Sequence, residues 1–459
     1  MDMTQGPLAG KLIRYTIPLI LAGILQLCFN AADTIVVGRF AGGEAMAAVG
    51  STGPLNTLII NLFLGLSVGV SVTVAHAWGA KHEEAVSRTV HTAILIAFLA
   101  GCFVMLVGFF GCRTFLTWMG SPANVIDLSV LYMRIYFLSM PACMVYNFGA
   151  AVLRSIGDTR HPMIFLTIAG VVNVTLNLIT VIFFHMGVAG VALATSVSQI
   201  VSAVLVVRFL MKQENCCRLD LRRLRIHGDR LAAIVRIGIP SGLQSSVFAI
   251  SNVLIQSSIN SFGSVAMEGN TAAGNLEGFV YIAMNSFYHA ALTFVGQNIG
   301  AQKYKRILRI TVTCILLVSV IGASLGALVY TFRTPLLSIY TSADDPSEMI
   351  ALGSIRLSVI ATTYFLCGIM ESLTGVLRAM GASFTSMVIS LIGACGTRLI
   401  WLYTIFVAHR TLLTLYWSYP VSWTLTLLMQ LAALLILYRR FIKAHPVEPS
   451  DSPSPETTT

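Results

Sequence analysis

The sequence predicts an all-α membrane protein with twelve transmembrane helices in two six-helix, pseudo-symmetric lobes. Composition is the first reason. The chain has 459 residues, 56% hydrophobic and only 10% charged, whereas a soluble domain is about 25% charged. Span count is the second. Stretches long enough to cross a bilayer, about 20 residues each, fall near 13–37, 47–76, 90–112, 130–153, 162–184, 188–211, 236–261, 270–298, 308–331, 351–377, 384–406 and 412–438. An internal repeat is the third. Ile17-Pro18 returns as Ile239-Pro240 at an offset of 222, and Gly79-Ala80 returns as Gly300-Ala301 at 221. Val152-Leu153-Arg154 with Gly157 returns as Val376-Leu377-Arg378 with Gly381 at 224.

Six spans per repeat make both halves enter the membrane from the same side. The halves are then related by an axis along the membrane normal, with a binding site expected at the seam between them. This gives an N-terminal lobe over 1–211, a basic linker over 212–235, a C-terminal lobe over 236–440 and a disordered tail over 441–459. The charge supports a topology with both termini cytoplasmic. On that assignment 22 of the 29 Lys and Arg residues fall on the cytoplasmic side, six on the opposite side, and Arg398 inside a span, a positive-inside bias. Lys11 and Arg14 lead into a span too long for a cleavable signal. The net charge of +10 follows topology, so nucleic acid is not an expected partner. The nine cysteines form no CxxC pair or Cys/His cluster, which supports neither zinc nor a disulfide framework. No phosphate-binding loop or nucleophile motif is present. The chain therefore reads as a non-enzyme without a cofactor, powered by an ion gradient or a partner.

The elements follow in order. Pro18 and Pro240 sit early in spans 1 and 7, where proline removes a backbone donor and bends a helix; both are hinge candidates, and a bend near a helix start is the plainer alternative. Gln26, Asn30 and Asp33 share one face of span 1. Gly65 and Gly69 in span 2, like Gly322 and Gly326 in span 9, sit four apart and allow close helix approach. Asn173 and Asn177 lie four apart in span 5, and Thr195 lies in span 6. With Asp33 they offer oxygen ligands for a small cation or a network around a protonated acid, although amides four apart also join helices.

Spans 7 and 8 carry long polar faces, Asn252, Gln256 and Asn260 on one and Glu277, Tyr281, Asn285 and His289 on the other. Lipid does not tolerate such faces, so they line a cavity or pack internally. Glu371 in span 10 replaces Asn147 of the first repeat, just as Asp33 replaces Ile255. Ionisable groups inside a membrane are costly and mark functional sites. Arg398 in span 11 is expected to neutralise Glu371 or Glu277. His76 and His289 read as packing histidines.

Taken together, the residues resemble the multidrug and toxic compound extrusion (MATE) transporters, prokaryotic branch, across about 10–440. The resemblance rests on the doubled layout, the Asp-Thr-Ile-Val-Val-Gly run at 33–38, Trp78-Gly79-Ala80, Gly296-Gln297-Asn298-Ile299-Gly300-Ala301, Val376-Leu377-Arg378 and Tyr419-Pro420. It implies a multi-pass protein of the prokaryotic plasma (inner) membrane that exports amphipathic cationic compounds in exchange for H⁺ or Na⁺. It also implies coupling at Asp33, with Na⁺ held among Asp33, Asn173, Asn177 and Thr195. Asn177 stands where relatives carry an acid, and Phe248 and Cys367 stand at two further acidic positions of one branch. Substrate contacts are then expected from Gln26, Asn30, Asn252, Gln256, Glu277, Tyr281, Asn285, Glu371 and Arg398. The implied partners are a small molecule and membrane lipid, with the protein acting as a monomer. The rival reading is a flippase for lipids or lipid-linked glycans, which requires a strongly cationic cavity.

Overall fold

The computed structural model describes residues 2–119, 125–340 and 347–444. Helices fill the twelve expected positions: α1 (Leu8–Ala41), α2 (Gly43–Gly79), α3 (Glu83–Trp118), α4 (Ile126–Leu138 and Met140–Ser155), α5 (Arg160–Phe183), α6 (Gly187–Met211), α7 (Gly228–Asn260), α8 (Ser264–Gly300), α9 (Tyr304–Thr331), α10 (Ser347–Ala379), α11 (Ser383–Phe406) and α12 (Leu412–Ala444). Among the described residues ten of these are apolar enough to span a membrane singly, and α4 becomes an eleventh when its two pieces are joined across a 48° bend. Pro141 lies in the first turn of the second piece, and its missing N–H explains the break. The remaining helix, α8, carries the polar face expected of it, which lowers its hydropathy.

The backbone repeats as the sequence does. Gly42 (φ 90°) and Gly263 (φ 99°) start α2 and α8 in the left-handed region. Lys81 (φ 55°) and Gln302 (φ 58°) follow the same two helices, and Gly157 (φ 91°) and Gly381 (φ 81°) follow α4 and α10. Three pairs of positive-φ positions at the repeat offset mean that both halves fold alike.

Within the first half α3 packs on α4, α5 on α6 and α1 on α5; within the second, α8 and α9 pack on α10, α10 on α12 and α7 on α11. Helix α1 belongs to both halves. Its first turns bury Leu12 and Tyr15 beside Ala290 and Phe294 of α8, while its later turns lie on α5. Pro18 stands between these two attachments. The chain ahead of α1 is tied to the second half as well: Asn298 Nδ2 donates to the Met3 carbonyl at 3.2 Å and Lys303 Nζ to that of Thr4 at 3.0 Å.

The halves meet along α2, α7 and α8, where glycines bring backbones together. A Cβ at Gly65 would lie 2.2 Å from Gly242 N, and one at Gly69 would lie 2.1 Å from Ile234 O. Further along α2, Gly79 and its repeat mate Gly300 each leave room for a carbonyl of the other half, from Gln297 and His76. The same ends exchange reciprocal hydrogen bonds. His76 Nε2 donates to Ala379 O at 2.7 Å, and Gln297 Nε2 donates to Ser155 O at 2.7 Å. His76 is thus a packing residue, as expected. These contacts gather at the ends of α2 and α8 that face the linker, so the two halves are in contact on that side.

The linker is shorter than expected, because α7 already begins at Gly228. It docks on the first half: Cys217 and Leu219 are buried there, and Asp220 N donates to His91 Nε2 at 3.1 Å. At the other end α12 continues to Ala444, and the tail from 445 lies outside the described residues.

Candidate functional site

Asp33, Asn173, Asn177 and Thr195 come together from three helices. Asn177 Nδ2 donates to Asp33 Oδ1 and, at 3.3 Å, to Asn173 Oδ1. Asn173 Nδ2 reaches Thr195 Oγ1 at 3.4 Å. Asn173 and Asn177 are buried, and Asn177 Oδ1 is a buried acceptor without a partner. Every available ligand atom is a hard oxygen, from one carboxylate, two amides and a hydroxyl. That donor set suits Na⁺, and the orphaned Asn177 oxygen equally suits a proton on Asp33. The helices are locally widened here: α1 turns π-helical over Val37–Ala41 just after Asp33, and α5 over Leu178–Phe183 just after Asn177. Such widened turns recur at functional positions.

A cavity of about 670 Å³ separates the two halves. Helices α2 and α4 of the first half and α7, α8, α10, α11 and α12 of the second wall it. Asn252, Tyr281, Asn285, Glu371 and Arg398 line it, as does His289. A second cavity of about 260 Å³ adjoins it, sharing Asn252, Tyr364, Tyr419 and Trp423, and contains Gln256 and Glu277. Gln26 and Asn30 line neither; they are exposed on α1 and hydrogen-bonded to each other at 3.4 Å. Their expected contact with substrate has no support from either cavity, while the Asp33 end of the same stripe is joined to α5 through Asn177.

The expected pairing of Arg398 is also corrected. Glu277 is held by Arg356, whose Nε donates to Oε1 at 3.0 Å and Nη2 to Oε2 at 2.7 Å. Arg356 Nη1 reaches Asn270 Oδ1 at 2.5 Å, and Asn270 Nδ2 reaches Gln256 Oε1 at 3.0 Å. The bidentate pair leaves Glu277 no free charge for a cargo. Arg398 uses neutral partners instead, Ser422 Oγ at 3.1 Å and Asn252 Oδ1 at 3.2 Å, with its guanidinium 4.3 Å from the Tyr419 ring centroid. It sits on one turn of α-helix between two π-helical stretches, Leu391–Gly396 and Leu402–Phe406.

Sequence reasoning missed Arg154 and Arg378 as cavity residues. These repeat mates line the central cavity. Arg378 Nη1 donates to Tyr288 Oη at 2.6 Å and Nη2 to Gln244 Oε1 at 2.8 Å. Their position in a repeated Val-Leu-Arg motif was the available signal; a place near a helix end, on the side expected to be cytoplasmic, hid it.

A doubled six-helix bundle with a cavity at its seam, and a polar cluster apart from that cavity, defines a membrane transporter. The family model for MatE matches residues 18–179 and 240–404, so the chain belongs to the MatE family and is a transporter, not an enzyme. A probable multidrug resistance protein YoeA of Bacillus subtilis (strain 168) is 28% identical over 425 residues, covering 90% of this chain and 91% of that protein. A crystal structure of a MATE protein in complex with MaL6 overlays with a TM-score of 0.88 at 20% identity, covering 96% of this chain and 98% of that one. A transporter of the MOP superfamily from Pyrococcus furiosus, described as having a binding pocket of reversed polarity, overlays at 0.85 and 21% identity, covering 96% and 97%.

Proposed function

We propose that this transporter exports amphipathic organic compounds across a prokaryotic plasma membrane, both termini cytoplasmic, in exchange for H⁺ or Na⁺. The observation that carries this reading is the Asp33–Asn177–Asn173–Thr195 chain, an oxygen-rich ion site separate from the seam cavity. Ion and cargo then bind at different places, and coupling runs through the arrangement of the halves. With the basic linker on the cytoplasmic side, the glycine seam closes the cytoplasmic face and the cavity belongs to an outward-facing state. Helix α1 is the element both ligands can bias. It carries Asp33 at one end, is anchored to the other half through Leu12 and Tyr15, and has Pro18 between as the hinge. Pro240 sits among the seam contacts of α7 and is the second hinge. The similarity to YoeA over nine-tenths of both chains supports multidrug export.

Ethidium and carboxyfluorescein efflux from proteoliposomes under an imposed Na⁺ gradient, and separately a pH gradient, tests the reading. Efflux driven by one gradient and lost in Asp33→Asn is expected; full activity in that variant would end the coupling role. The flippase reading gains one observation, since the arginines of the cavity are the cationic lining it requires.

A further inference from the structure

We propose that the cargo of the central cavity is an amphipathic organic anion: an aromatic body bearing a carboxylate, sulfonate or phosphate. This names the substrate class and rests on the export reading above. The sequence pointed to a cation through Glu277 and Glu371, but Glu277 is taken by Arg356. What remains is three arginines, Arg154, Arg378 and Arg398, against one carboxylate, Glu371, a net charge of +2 with His289 neutral. The adjoining cavity changes nothing, because Arg356 and Glu277 cancel there.

None of the three arginines makes an ion pair with a described residue. Arg378 and Arg398 are nearly fully buried, only 6% and 4% exposed, and their partners are neutral oxygens. The Nε atoms of Arg154 and Arg378 are buried with no hydrogen-bond partner at all. A buried donor left unpaired is costly, and a buried charge without a counterion more so. An anion in the cavity supplies the counter-charge that three guanidinium groups lack beyond the single carboxylate of Glu371, and guanidinium groups are suited to the planar, bidentate recognition of carboxylate and phosphate. The aromatic part has a place as well. Arg398 lies over Tyr419, and Trp423 packs edge-on to both Tyr419 and Tyr364, at 5.8 and 5.3 Å between ring centroids. A volume of about 670 Å³ is that of a drug-sized ligand site.

The test is fluorescence anisotropy with the purified full chain in detergent, comparing carboxyfluorescein with ethidium. Carboxyfluorescein should bind more tightly. Arg398→Gln should weaken it about tenfold or more, as expected for loss of a charge-assisted contact, and Arg398→Lys should recover part of that loss. Glu371→Gln should act in the opposite sense, tightening carboxyfluorescein and loosening ethidium. Ethidium binding more tightly, with Arg398→Gln strengthening it, would overturn the anion assignment while leaving export intact. Anion binding without ion-driven efflux would sink export and uphold the charge class. Binding of neither dye would overturn the proposal. So would translocation of fluorescent phosphatidylglycerol in liposomes without dye binding, which would assign the arginines to a lipid headgroup.

Discussion

Replacing Glu277 with glutamine leaves a guanidinium buried in a membrane protein without its counter-charge. The magnitude follows from the geometry. Arg356 spends its donors on both Glu277 oxygens, at 3.0 and 2.7 Å, and on Asn270 at 2.5 Å. The side chains are only 13% and 4% exposed, so water screens the pair little. Removing one partner of such a pair costs about 3–5 kcal/mol. The Glu277→Gln/Arg356→Gln double variant leaves no orphaned charge, so it should cost less than the sum of the singles by about 1–3 kcal/mol. Thermal unfolding in detergent, followed with a thiol-reactive dye, suits this chain, since six of its nine free cysteines are buried. Each single variant should unfold well below the wild type, with the double above the temperature that adding the single shifts would give. Additive shifts, or singles indistinguishable from wild type, would refute the buried pair as the organiser of this part of the second half.

Three further outcomes are expected. Gly65→Val drives a side chain into the Gly242 backbone, where a Cβ would already lie 2.2 Å from the nitrogen. Overpacking of this kind costs about 1–3 kcal/mol, so the variant should lower the unfolding midpoint and raise alkylation of a cysteine introduced at Ser155, a reporter at the linker-side end of the seam; unchanged accessibility would contradict a seam that closes this face. Asn177→Asp adds a second carboxylate to the oxygen cluster, so Na⁺ dependence of efflux should strengthen, and an unaltered Na⁺ response would remove Asn177 from the site. Cys216, in the linker, is held down to about 7 by a hydrogen bond from the Cys217 thiol, against an ordinary 9.0. Its thiolate is therefore present at neutral pH, and alkylation mapped by mass spectrometry should have a midpoint near pH 7 that moves up in Cys217→Ala; a midpoint near 9 in the wild type would contradict the pairing.

The twelve helices were legible because span length and the repeat are long-range regularities that need no contacts. Even α8, the least apolar of the twelve, was legible by its equivalence to α2. The Asp33 cluster was legible because Asn173 and Asn177 share a helical face and the resemblance implied an ion site that includes Thr195. Pairing across helices was not. Glu277 and Arg356 are 79 residues apart, and an arginine near a span end looks like one reaching for the membrane surface. Arg154 and Arg378 were hidden the same way, absorbed into the positive-inside pattern although both face the cavity. The sequence displays where charges lie along each helix; which way neighbouring helices turn them is a property of packing. The role of α1 as a bridge between halves was invisible for the same reason.

The central claim is that ion and cargo sites are coupled through Asp33, and linkage requires each ligand to weaken the other by the same factor. The most direct measurement is cargo affinity for the purified protein, with carboxyfluorescein as probe, titrated against Na⁺ and against pH in wild type and Asp33→Asn. The account predicts that one of the two ions weakens dye binding in the wild type and that this dependence vanishes in Asp33→Asn. Dye affinity indifferent to both ions in the wild type, or an ion dependence unchanged by the substitution, would contradict it.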